Sequence, residues 1–179
     1  MRWSHLVTPG ARVLDLACGS GRHVRWFAAQ GGIVTGIDRD AAAVEPLRDS
    51  AEIIVANLEQ GEWPLAGRRF DAVVVTNYLW RPRLAALVAA VDDSGVLIYE
   101  TFAAGNAAYG KPSNPDFLLA PGELLSAAAG LRVVAYEDGW LPDPARCVQR
   151  LCAVRGEVPD MRRIALAAQV KSVDTEERA

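Results

Sequence analysis

The sequence predicts a doubly wound α/β domain built on a mostly parallel sheet of seven strands with an antiparallel edge. Three observations predict it. Apolar, β-branched runs alternate with alanine- and leucine-rich stretches over residues 11–129, which is the pattern of strand–helix–strand units. The run Phe70-Asp71-Ala72-Val73-Val74-Val75-Thr76 is almost continuously apolar, as strands covered on both faces are. Two alternating stretches, 131–137 and 146–154, close the chain as an antiparallel hairpin.

Taken in order, 11–16 reads as the first strand and 22–30 as the first helix, which Gly31-Gly32 ends. Residues 33–38 form the second strand. The second helix, 40–50, contains Pro46, which predicts a kink or restart. Residues 52–56 form the third strand, 57–69 a loop and 70–76 the fourth strand. A helix over 82–91 and a fifth strand over 95–102 follow. The segment 103–119 is rich in Gly, Pro, Asn and Asp and reads as irregular. Pro121 suits the first turn of a helix over 121–129. The motif Asp138-Gly139-Trp140-Leu141-Pro142-Asp143-Pro144 separates the two hairpin strands. Residues 1–156 are read as one domain and 157–179 as a charged extension, with a helix over 161–170 and a frayed end over 172–179.

With 179 residues, the chain is long enough for one domain with a sizeable core. Hydrophobic residues are 51% and charged residues 23%, which excludes a disordered chain. The net charge of -3 argues against nucleic acid as a partner. The three cysteines, Cys18, Cys147 and Cys152, fit neither a zinc site nor a disulfide framework, and with two histidines no metal site is expected. No secretory leader and no apolar run of ~18 residues is found. A soluble, cytoplasmic protein without membrane contact is expected, and its oligomeric state is left open.

The chemistry concentrates in the run Val13-Leu14-Asp15-Leu16-Ala17-Cys18-Gly19-Ser20-Gly21-Arg22-His23 and in Gly36-Ile37-Asp38-Arg39-Asp40. Each run is a strand that meets an acidic residue near its carboxyl end. Ala17 and Cys18 are small residues that lead into a tight turn. Gly19 and Gly21 let the backbone bend sharply and approach a ligand without a Cβ in the way. The helix that follows aims free amides at the crevice. Right-handed crossovers set the first strand beside the fourth and open that crevice at their carboxyl ends. Asp38 is placed to accept hydrogen bonds from two ribose hydroxyls. A dinucleotide site uses the same geometry, but its third glycine is replaced here by Val24.

These two runs resemble the first and second motifs of the class I S-adenosylmethionine-dependent methyltransferases. The resemblance covers 11–154 and is closer before Phe102 than after it. It implies a Rossmann-like methyltransferase fold with strand order 3-2-1-4-5-7-6, S-adenosylmethionine as cofactor and a small-molecule substrate. It also implies roles. Asp15 accepts turn amides or reaches the cofactor's ammonium through water, and Arg39 belongs to the ribose-binding run. Asn57 reads the adenine amino group while Leu58 covers the ring. Thr76 and Asn77 sit by the methionine portion. ACGSGRH and GGIVTGIDRD are most similar to the tellurite-resistance methyltransferase-like group, whose members act on small, soft oxyanions or related acceptors. Many relatives carry a long lid segment before the first strand, and this chain is expected to lack one.

Substrate contacts are expected on the loops over the same edge. Tyr78, Trp80, Glu100 and Tyr109 are the candidates for the acceptor pocket, with Arg81, Asn106 and Lys111 nearby in sequence. Glu100 has three possible roles there: orienting the ammonium, binding a cationic acceptor or taking a proton. Ionised, it would repel an anionic acceptor. Aromatic side chains there exclude water or face the sulfonium. His23 is read as a capping residue or a general base. No catalytic residue is assigned, because methyl transfer rests mainly on positioning and water exclusion.

Missing motifs narrow the class. Asn77-Tyr78-Leu79-Trp80 lacks the two prolines of adenine-amino enzymes, and no Pro-Cys nucleophile exists. The only lysines, Lys111 and Lys171, do not form a ribose-methylating set. The paired-glutamate loop of protein-arginine enzymes is absent too. Two other readings stay open: a nicotinamide-dependent oxidoreductase, and a non-catalytic cofactor- or partner-binding protein of the same fold. For the latter, an exposed Trp3, Trp63 or Trp140 would mark the surface.

Overall fold

The computed structural model describes residues 2–156. The predicted helix over 161–170 and frayed end over 172–179 lie outside the described residues. Seven strands form one sheet: β1 (Arg12–Leu16), β2 (Ile33–Asp38), β3 (Glu52–Val55), β4 (Phe70–Thr76), β5 (Val91–Phe102), β6 (Arg132–Pro142) and β7 (Ala145–Val154). Their order is β3-β2-β1-β4-β5-β7-β6. The first five strands pair in parallel, and β7 runs antiparallel to β5 on one side and β6 on the other.

Four helices connect and cover the sheet: α1 (Arg22–Ala29), α2 (Ala41–Val44), α3 (Leu84–Ala89) and α4 (Glu123–Ala127). Asp40 caps α2 by accepting from the amides of Ala42 and Ala43. Pro46 ends α2 after one turn, and a 3-10 turn over Glu45–Leu47 takes its place. Central strands β1 and β4 bury both faces, so Leu14, Leu16, Val73 and Val75 feed one core while Val13, Ala72 and Val74 feed the other. Burial of this kind stabilises by roughly 25 cal/mol per Å² of apolar surface.

Three boundaries differ from the sequence reading. β5 begins at Val91, not residue 95, because the chain re-enters the sheet through a register shift opposite Phe70 and Ala72. Ser94 takes φ 63° there, and a Cβ on Gly95 would lie 2.8 Å from the Asp92 carbonyl oxygen. α4 starts at Glu123, not at Pro121, because Gly122 caps it at φ 72°. β6 runs on through Gly139, Trp140 and Leu141, which pair with Val148, Cys147 and Arg146. Hairpin pairing therefore overrides the turn propensity of that motif.

The sheet has two differently built edges. At its amino edge Arg12 clasps the starts of three strands, binding Asp71 at 2.8 Å and Asp92 at 2.6 Å. At the carboxyl edge the backbone bends sharply. Ala17 after β1 and Asn77 after β4 have φ 54° and 55°. Such left-handed non-glycine residues cost of order 1–3 kcal/mol and cluster where a site is built.

Candidate functional site

The turn after β1 is held by its neighbours. The amide of Gly19 donates to Asp38 Oδ2 at 2.8 Å, and Asp38 Oδ1 accepts from the Asp40 amide at 3.0 Å. Asp38 thus locks the two acidic strand ends together. The cavity beside it measures about 380 Å³ and is bounded by Ala17, Gly19, Asp38, Asn57, Leu58 and Asn77. Arg39 and Tyr78 also line it. A Cβ on Gly19 would meet nothing within 4 Å, whereas one on Gly21 would lie 2.3 Å from Leu47 Cδ1. Gly19 therefore faces open space. Gly21 also serves the packing of α1 against the 3-10 turn.

Asp15 lies beneath the turn and is 1% exposed. Neither of its carboxylate oxygens has a hydrogen-bond partner among the described residues. His23 Nδ1 stands 3.8 Å from Oδ1, beyond hydrogen-bond reach. A buried carboxylate without donors carries a desolvation cost that a cation relieves. The orphaned Asp15 and the open face of Gly19 fit a cofactor with an ammonium at one end and a ribose at Asp38. Cys18 instead packs inward, its Sγ 3.2 Å from where a Cβ of Gly36 would be. Burial, with Asp15 and Asp38 nearby, pushes its thiol up to about 12. It is a packing residue and not a nucleophile.

Asn57 uses its side-chain carbonyl in the turn, accepting from the Glu59 amide at 3.0 Å. Its expected adenine contact is therefore left to its second lone pair and its NH2 group. Leu58 is buried and joins the main core while lining the cavity. Tyr78 is pinned from behind, as Tyr99 donates its hydroxyl to the Tyr78 carbonyl at 2.8 Å. The Tyr78 hydroxyl is buried without a partner among the described residues, and burial pushes it up to about 12.

The four acceptor candidates do not come together. Tyr78 borders the first cavity and a second one of about 310 Å³. Glu100 lines a third cavity, of about 510 Å³, with Arg22, His23, Thr76, Arg146 and Arg150. Trp80 is half-buried at the cap of the 3-10 turn over Arg81–Arg83. Tyr109 is exposed and rests 6.1 Å from the exposed ring of Trp140. Arg81 is a brace, bidentate to Glu123 and bonded to the carbonyls of Asp116 and Leu118. Asn106 is likewise structural, bonded to the Pro112 carbonyl and the Cys147 amide. Trp3 is buried and Trp63 packs on the core, so of those three tryptophans only Trp140 is exposed.

Sequence reasoning left out Arg22, Arg146 and Arg150. Nothing in a linear pattern joins residues so far apart, because antiparallel pairing of β7 with β5 is what sets Arg150 opposite Glu100. Glu100 is neutralised there. Its Oε2 accepts from Arg150 Nε at 2.5 Å, and Arg146 lies 3.8 Å from Oε1. The repulsion of anions expected from an isolated Glu100 therefore does not arise.

A family model described as a methyltransferase domain matches residues 13–94. With the sheet order, this gives the fold of the class I S-adenosylmethionine-dependent methyltransferases and a similarity to a methyltransferase domain over the strands that carry the turn. Solved structures with the same fold include TehB from Haemophilus influenzae, at TM-score 0.68 and 18% identity over 86% of this chain. This chain spans 60% of that protein. A TehB-like S-adenosylmethionine-dependent methyltransferase from Corynebacterium glutamicum matches at TM-score 0.62 and 21% identity, covering 84% of this chain and 83% of its own. The 1,6-didemethyltoxoflavin-N1-methyltransferase of Burkholderia thailandensis, bound to 1,6-didemethyltoxoflavin and S-adenosylhomocysteine, matches at TM-score 0.63 and 19% identity, covering 87% and 75%. No curated protein matches the chain by sequence. Among the described residues no helix is long and apolar enough to cross a membrane, and no cluster of metal-ligating side chains is found.

Proposed function

We propose that this chain transfers a methyl group from S-adenosylmethionine to a small-molecule acceptor. The observation that carries this reading is the cavity at the carboxyl ends of β1 to β4, where Gly19, Asp38, Leu58 and Asn77 meet, together with the orphaned Asp15 near the end of β1. Asp38 would hold the ribose hydroxyls, Leu58 one face of the adenine, and Asp15 the ammonium. Asn77 and Tyr78 would border the methionine end. The cofactor supplies a methyl on a sulfonium, so the acceptor's lone pair forms the new bond as the carbon–sulfur bond breaks and its electrons return to sulfur. The chain's own part is to align the acceptor and exclude water. His23, beside Thr76 Oγ1 at 3.5 Å, is the titratable group best placed to take a proton from an acceptor that arrives protonated.

The test is a panel of small thiols, amines, phenols and oxyanions with S-adenosylhomocysteine formation as readout. Soft oxyanions belong in it because two of the similar structures are TehB and a TehB-like protein. Gly19→Arg, which fills the open side of the turn, is the inactive control. Turnover by the wild type and none by Gly19→Arg supports the reading. If S-adenosylhomocysteine binds but no acceptor in a broad panel is methylated, the non-catalytic binding protein of the same fold takes its place.

A further inference from the structure

We infer that the acceptor is a flat carboxylic acid, held by the arginines of the 510 Å³ cavity on the α1 side of the β4 end. This inference rests on the methyltransferase reading and names the substrate class of that site. The cavity adjoins the proposed cofactor cavity at the end of β4, where Thr76 lines the one and its neighbour Asn77 the other.

The argument begins with charge. Arg2, Arg22, Arg146 and Arg150 line the cavity, and the carboxylates paired with them are Glu100 and Glu137. Counting buried Asp15 as well, four guanidiniums face three carboxylates in a chain whose net charge is -3. A bound cofactor does not remove that surplus. Its carboxylate and ammonium cancel, and its sulfonium adds a positive charge. Arg22 carries the surplus most plainly, since no ion pair or hydrogen bond engages its guanidinium among the described residues. An anionic acceptor relieves both the arginines and the sulfonium.

The choice of carboxylate follows from geometry. Glu100 already shows how the site takes one, with Arg150 Nε donating at 2.5 Å and Arg146 3.8 Å from its other oxygen, an ion pair without a hydrogen bond. Planar guanidinium forks match planar carboxylates. The side chains of Arg146 and Arg150 are only 23% and 19% exposed, so their interactions are poorly screened by salt. The remaining wall presents Trp3, Trp26 and Ile98 beside His23 and Thr76. That wall suits an aromatic or otherwise flat body.

The probes are benzoate and indole-3-carboxylate against benzamide and indole-3-carboxamide, titrated by calorimetry with and without S-adenosylhomocysteine. The carboxylates are expected to bind about tenfold or more tightly than their amides. Arg22→Gln, an exposed substitution that leaves the fold intact, and Arg146→Gln should each remove about tenfold of that preference. Both should leave S-adenosylhomocysteine affinity within about twofold. Equal binding of acid and amide, no binding of either, or displacement by phosphate or tellurite in preference to carboxylates overturns the inference. Loss of S-adenosylhomocysteine binding with intact carboxylate binding would instead overturn the methyltransferase reading and leave the anion site standing.

Discussion

Gly21 and Gly19 are two residues apart and yet do different work. Both have positive φ, 78° and 53°. Only Gly21 has Leu47 within 2.3 Å of a would-be Cβ. Gly21→Ala combines left-handed strain of about 1–2 kcal/mol with overpacking of about 1–3 kcal/mol. It should lower unfolding stability by about 2–5 kcal/mol in urea titrations. Gly19→Ala carries only the strain, so its loss should stay near 1–2 kcal/mol. Equal losses would show that Leu47 yields freely. Cys18 gives a second check. With its thiol pushed up to about 12, it should resist iodoacetamide at pH 8 in the folded protein and react after unfolding, as read by mass spectrometry. Rapid labelling of native Cys18 would contradict its burial.

Among the elements, the parallel half was legible in the sequence because each strand there is a short apolar run ended by a turn signal. The hairpin was less so. Asp138-Gly139-Trp140 reads as a turn, yet the ladder to Val148 and Cys147 keeps it extended. The cofactor half of the site was legible for the same reason as its strands, since Gly19 and Asp38 come from two adjacent motifs. The acceptor half was not. Trp80 and Tyr109 have the right composition for a pocket, but Trp80 packs at a 3-10 turn and Tyr109 on Trp140. Arg81, next to Trp80 in sequence, ties the irregular segment 103–119 and α4 to the end of β4. Arg81→Ala should reduce stability by about 1–2 kcal/mol, discounted for its partly exposed pair. It should also speed proteolysis within 103–119, as followed by limited chymotrypsin digestion at the exposed Tyr109 and Phe117. An unchanged digestion pattern would remove the brace.

Over the whole molecule, the carboxyl edge of the sheet holds the cavities while ionic clasps lie elsewhere. Hydrogen bonds from arginine hold four carboxyls below their ordinary range: Glu52 from Arg68, Asp71 and Asp92 from Arg12, and Glu123 from Arg81. A depressed folded-state value means that the stabilisation is present above the unfolded value, near pH 4. It is lost as pH falls through the folded values. The thermal midpoint should hold from pH 7 to about 5 and drop below about 4, with a smaller drop in 0.5 M salt because these pairs are largely exposed. A midpoint that rises on acidification would contradict the sign.

Calorimetric titration of S-adenosylhomocysteine into the wild type and Asp38→Ala bears on the cofactor site itself. The wild type should bind it and should give no heat with NADH. Asp38→Ala should weaken binding by ~1–3 kcal/mol through loss of a charged acceptor, with circular dichroism unchanged. Equal affinity in both proteins, or tight NADH binding without S-adenosylhomocysteine binding, would contradict the assignment.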